Sequence, residues 1–194
     1  MASTRTQRRG AANIGSAPSS STIATDDALE PAASLQGPVE LVSIKKMKIN
    51  VNAFSKAISS DAALAFGQKI WDFQQAEVAI IGARVNCTVS TPTGLSSTAG
   101  EIGLGSVVAS GAVAVLGGTG TFEDIMTGHT VSNLVAGTPN TETHVAGIIA
   151  GSLDGTATAK DVFLNYASTW NQTAAESVTI SGTVEIFYVD LGDD

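Results

Sequence analysis

"ESVTISGTVEIFYVD", residues 176–190, places Val178, Ile180, Gly182, Val184, Ile186 and Tyr188 on one parity and Thr179, Ser181, Thr183 and Glu185 on the other. Alternation at a period of two is the pattern of a strand with one face on a core and the other in solvent. Upstream, "HVAGIIAGSL" (144–153) and "TAKDVFLNYAS" (158–168) read as strands of the same kind, separated by Gly, Ser and Thr. "AEVAIIGARVNCTVSTP" (76–92) is another, stopped by Pro92, because proline cannot donate to a ladder. The first is "PVELVSIKKMKINVNAF", in which Val39, Leu41, Met47, Ile49 and Val51 share a parity, so a strand is expected over 39–51. Between these runs, "TGLSSTAGEIGLGSVVAS" (93–110) reads as a loop and a strand, "GAVAVLGGTGTF" (111–122) as a strand and a Gly-rich turn, and "FEDIMTGHTVSNL" (122–134) as a short helix or loop. "SSDAALAF" (59–66) suggests one helical turn capped by Ser60 or Asp61, before "QKIWDF" turns extended. Seven or eight strands joined by short polar turns, with no fixed repeat, predict an all-β protein: a jelly-roll-like β-sandwich.

Composition agrees. The chain has 194 residues, 43% of them hydrophobic but only 14% charged, against about 25% in ordinary soluble domains. Its surface is therefore expected to be uncharged and Ser-, Thr-, Gly- and Asn-rich, or partly buried against neighbours. Residues 1–37 lack hydrophobic periodicity and are rich in Ala, Ser, Thr, Gly and Pro, which predicts an extended N-terminal arm before a sandwich domain over 38–194. Arg5, Arg8 and Arg9 near the tip balance Asp26, Asp27 and Glu30 closer to the body, so the rest of the chain carries the whole net charge of −8. That balance excludes a general nucleic-acid binder, since a phosphate backbone must be met by Lys and Arg. The longest apolar stretch, "VVASGAVAVLGG" (107–118), is broken by glycine and falls short of the ~20 residues that cross a bilayer. The basic start of the chain is followed by no apolar run, so no secretory signal is expected, and without export the sequons at Asn86 and Asn171 carry no glycosylation meaning.

Chemistry-bearing residues are few. Cys87 is the single cysteine and is expected to be a buried structural thiol. His129 and His144 are the two histidines, with Glu142 two residues before the second; one His-x-carboxylate pair falls short of a three-ligand metal site, so no metal is expected. "GGTGTF" (117–122) lacks the Lys-Ser/Thr of a phosphate loop and "GEIGLG" (100–105) has the wrong glycine order for a dinucleotide fingerprint, so both read as turns and no cofactor is expected. No Gly-x-Ser-x-Gly elbow is present. Asp72, between two aromatics, reads as a strand-end aspartate bonded to backbone, and Glu123 and Asp124 are adjacent and point apart. Asp154, before Gly155, reads as the corner of a turn. Lys45, Lys46 and Lys48 form a basic cluster on the first strand, suited to a solvated face or edge protection.

The runs "KIWDFQQAEVAIIGARVNCTVST", "LDGTATAKDVFLNYAS" and "SVTISGTVEIFYVDL" resemble capsid decoration, or cement, proteins of tailed bacteriophages, the marine ones especially. The resemblance spans roughly residues 69 to 190 and is carried by pattern and order. It implies a non-enzymatic virion protein, assembled in the host cytoplasm and seated on the outer capsid surface. Its implied partners are the major capsid protein and other copies of itself, as a homotrimer, with no nucleic acid and no membrane. In that setting the arm residues Arg5, Arg8, Arg9, Ile14, Ile23, Leu29 and Leu35 are expected to touch the shell or a neighbour. Lys45, Lys46, Lys48 and Trp170 are candidates for shell or trimer contact. The competing expectation is a fibre, spike or adhesin module, with Trp170 stacking on a host glycan.

Overall fold

The computed structural model describes residues 43–58, 64–146, 152–172 and 176–192, all within the compact unit Val42–Asp194. The expected arm, with its seven candidate contact residues, lies outside the described residues, as do the expected helix caps Ser60 and Asp61.

Among the described residues nine strands follow in order: β1 (Lys45–Ile58), β2 (Ala65–Asp72), β3 (Glu77–Ser90), β4 (Leu95–Gly105), β5 (Met126–Val131), β6 (Asn140–Ala146), β7 (Ser152–Asp154), β8 (Asp161–Gln172) and β9 (Glu176–Gly192). One sheet has the order β1-β9-β3-β6, with β7 also on β3, and the other has the order β2-β8-β4-β5. All pairings are antiparallel. Each consecutive pair, β1/β2, β3/β4, β5/β6 and β8/β9, places one strand in each sheet at the same position in the order. That wrapping is the jelly roll anticipated from the sequence.

Alternation decides the faces. Val178, Ile180, Val184 and Ile186 of β9 meet Met47 and Val51 of β1, Val85, Cys87 and Val89 of β3, and Leu104, Leu164 and Tyr166 of the second sheet in one core. β1 keeps Met47, Ile49 and Val51 inward, then bulges between Val51 and Phe54, with Ala53 at φ 32°. The extra residue moves the inward set to the other parity, Phe54 and Ile58. The strand therefore runs to Ile58, past the expected end at residue 51. At the β2/β8 side, Phe66 stacks on Tyr166 (5.6 Å between centroids) and Tyr166 on Trp170 (5.5 Å).

Several expectations are corrected. Residues 111–122 form no strand: after a run of bends come two 3-10 turns, Leu116–Gly118 and Gly120–Phe122. Their apolar residues line the underside of a cover on the outer face of the second sheet, where Leu116, Phe122 and Ala109 pack on Ala65 and Ala167. "GEIGLG" is the end of strand β4, where a Cβ at Gly103 would sit 3.0 Å from Leu116 Cδ1 and from the Met126 carbonyl, so glycine there serves close packing, not a turn. Met126–Val131, expected as helix or loop, is the edge strand β5, held by Gly100, Glu101 and Ile102 of β4. In the expected 59–66 helical turn, the described residues Ala65 and Phe66 already belong to β2.

Candidate interaction surface

The outward parity of the first sheet forms rows across four strands. Lys48 of β1, Glu185 of β9, Arg84 of β3 and Val145 of β6 are in register, and the next row is Asn50, Thr183, Asn86 and Thr143. Beyond it stand Ser181, Thr88 and Thr141, then Ser55, Thr179 and Ser90. Hydroxyls and amides bond along these rows: Thr88 to Thr141 (2.8 Å), Ser55 to Thr179 (2.7 Å), and Thr143 donating to Asn86 Oδ1 (3.0 Å). Such cross-strand pairs spare a flat polar face from needing charge.

One end of this face is basic. Lys46 Nζ lies 2.8 Å from Glu185 and 5.4 Å from the centre of the Phe187 ring. Hydrogen bonding from Lys46, reinforced by the charges of Lys46, Arg84 and Lys48, holds the Glu185 carboxyl below its ordinary range. Three cations thus surround one carboxylate, leaving a local positive excess on a chain of net charge −8. A shallow depression of about 150 Å³ lies among Lys48, Arg84, Asn86, Thr183 and Glu185. Arg84 is the member that sequence reading missed: its outward parity on β3 is legible, but its place beside Lys48 needs the β1-β9-β3 strand order. Lys45 turns the other way and pairs with Asp190 at 2.9 Å.

Trp170 is placed elsewhere. It is 5% exposed, stacked in the aromatic cluster, and donates its indole N–H to the Leu64 carbonyl at 3.2 Å. Both the expected contact role and the expected sugar platform are therefore corrected: a buried indole offers no face to a shell, a trimer mate or a glycan.

The other candidates resolve into structural roles. The Asp154 carboxylate accepts from the Thr156 hydroxyl (2.7 Å) and from the Thr156 N–H (3.1 Å), and these bonds lower its pKa. It is a turn corner, as expected. Asp72 is exposed and ion-paired with Lys69 at 3.1 Å, which corrects the expected backbone partner. Asp124 accepts from the Ser106 N–H (2.6 Å) and Glu123 from the Gly128 N–H (2.6 Å), so the two adjacent carboxylates clip different segments. Cys87 is buried, and burial pushes its thiol up to about 11, away from thiolate chemistry. Glu142 and His144 share the inward parity of β6, 3.5 Å apart, and the His144 ring stacks on His129 of β5 with centroids 4.9 Å apart. Among the described residues no group of three or more His, Cys, Asp or Glu could hold a metal ion, and no helix is long and apolar enough to cross a membrane.

No family model matches the chain, and no curated protein matches it. Among solved structures, it is similar to a chain of the cyanophage Pam1 capsid asymmetric unit, with a TM-score of 0.40 and 15% identity over 81% of this chain and 94% of that one. It is also similar to a chain of infectious bursal disease virus Gx strain (TM-score 0.36, 16% identity), covering 81% of this chain and 36% of that one. The VP2 subviral particle of the same virus gives 0.36 and 15%, over 81% and 37% of the two chains.

Proposed function

We propose that this chain is a structural virion protein that decorates and stabilises a bacteriophage capsid, binding the outer shell at junctions between major capsid protein subunits as a homotrimer. The sequence resemblance over residues 69 to 190 supports this reading, and so does the surface. The carrying observation is the outer face of the first sheet: four strands of hydroxyl and amide rows leading to the Lys48–Glu185–Arg84 row. A broad flat face of low charge suits subunit contact, where desolvating isolated charges is costly, and a basic end sets orientation against an acidic neighbour. The arm residues Arg5, Arg8, Arg9, Ile14, Ile23, Leu29 and Leu35 add a second contact across the subunit boundary. Among the described residues, the carboxylates of Asp72, Glu123, Asp124 and Asp154 hold ion pairs, loops and a turn.

A capsid-binding assay tests this with three proteins: the full chain, a form lacking residues 1–37, and the double variant Lys48→Glu with Arg84→Glu. Saturable binding by the full chain is expected, weakened in both altered forms. Equal binding by the shortened form would remove the arm from the proposal, and equal binding by the double variant would remove the sheet face.

A further inference from the structure

The two histidines of the chain, fifteen residues apart, meet ring on ring where edge strand β5 of one sheet faces edge strand β6 of the other. Their rings stack with centroids 4.9 Å apart and planes at 13°. Among the described residues, both Nε2 atoms are buried without a hydrogen-bond partner. A neutral imidazole tolerates this, because one ring nitrogen is then only an acceptor. A protonated imidazole does not, because both nitrogens become donors and a buried cation without an acceptor is costly.

We propose that the His129–His144 pair is an acid-sensitive latch on the β5/β6 edge: neutral rings hold the two sheets together there, and protonation drives them apart. Among the described residues, one group can compensate the charge. Glu142 of β6 places Oε2 3.5 Å from His144 Nε2, while its Oε1 accepts from the Ser132 N–H (2.9 Å) and the Asn140 amide (2.7 Å). From β3, Val85 lies opposite His144 and the buried Cys87 opposite Glu142, while Arg84 turns outward. From β4, Ile102 lies opposite His129. Tyr166 of β8, paired with Ile102 in the ladder, is also inward, and burial keeps its hydroxyl protonated. Glu101 and Glu123 approach Gly128 from the outer face, and each accepts through one oxygen, from the N–H groups of Leu116 and Gly128 respectively. One carboxylate thus serves two rings, and a second proton brings like charges face to face. Burial, and then the neighbouring His129, lower the pKa of His144 against the pull of Glu142. A base whose folded pKa is depressed stabilises the fold above its ordinary value and destabilises it as pH falls through that value.

Amide hydrogen exchange of the full chain, corrected for intrinsic rates, reads the latch directly. Between pH 8 and pH 5, protection of Met126–Val131 and Asn140–Ala146 is expected to fall severalfold, while β8 holds. The variant His144→Phe keeps an aromatic stack without the charge and is expected to flatten that dependence. Unchanged edge protection in the unaltered protein overturns the latch, as does the same loss in His144→Phe. Proton NMR of the unaltered protein gives a reading that no folding defect can confuse: His144 is expected to titrate below the ordinary histidine value, and titration at or above that value also overturns it.

Discussion

Asn165 is the residue on which the cover over the second sheet depends. Its side chain is fully buried on the outer parity of β8. Oδ1 accepts from the Ala109 N–H at 2.9 Å, and Nδ2 donates to the carbonyls of Val107 (2.9 Å) and Phe122 (2.8 Å). Asn165→Ala removes three neutral hydrogen bonds, each worth about 1 kcal/mol net, and strands one N–H and two carbonyls. The loss is therefore about 3–5 kcal/mol. Peeling the cover away is no cheaper, because Leu116 and Phe122 would return to water at about 1.5–3 kcal/mol each. Against a total stability of about 5–15 kcal/mol, either route is severe. Urea unfolding followed by circular dichroism is expected to show a large fall in midpoint with little change in slope. Gly67 gives an internal check, since a Cβ there would strike the Asn165 amide, so Gly67→Ala and Asn165→Ala should be strongly non-additive. A loss below about 1 kcal/mol for Asn165→Ala would refute the reasoning, because it would mean that water replaces the amide.

Trp170→Ala should cost about 3–5 kcal/mol of stability, as expected for a buried aromatic; a variant of unaltered urea midpoint with weakened capsid or glycan binding would return Trp170 to the surface. Gly182, in mid-strand at φ 144°, faces the Asn86 carbonyl closely enough that a Cβ collides with backbone, so Gly182→Ala is expected to destabilise by more than the ~1 kcal/mol of a typical substitution, read from the thermal midpoint. The Lys48→Glu and Arg84→Glu double variant should fold with a near-native midpoint, since both side chains are exposed and surface charge contacts contribute about 0–1 kcal/mol, while its capsid affinity drops and loses its salt dependence. Asp154→Ala should leave binding unchanged. Because the Asp154 pKa is depressed in the fold, its small stability loss is expected at neutral pH and should vanish in acid, as measured by urea midpoints at the two pH values.

Strand alternation made most of the sandwich legible in the sequence, because a half-buried strand writes its burial into every second residue. It failed where the same letters serve another purpose. The Ala/Val run at 111–116 alternates like a strand, yet it borders a cover packed on Ala65 and Ala167, and periodicity does not say whether a ladder partner exists. β5 went unseen because six residues, "MTGHTV", carry too little pattern. The bulge at Ala53 was also hidden, since a non-glycine residue at positive φ leaves no compositional mark. Trp170 was legible after all: it shares the parity of Val162, Leu164 and Tyr166, which are fully buried. The histidine stack was not, because the two rings come from different sheets and meet only once the jelly roll has closed.

The central claim is occupancy of a capsid shell. Cryo-electron microscopy of purified virions, with the copy number of this chain counted against the major capsid protein, tests it most directly. Many symmetry-related copies on the outer surface at subunit junctions, with the Lys48–Glu185–Arg84 row turned toward a neighbour, is the expected result. A handful of copies confined to a tail tip or fibre, or none in the particle, would contradict it.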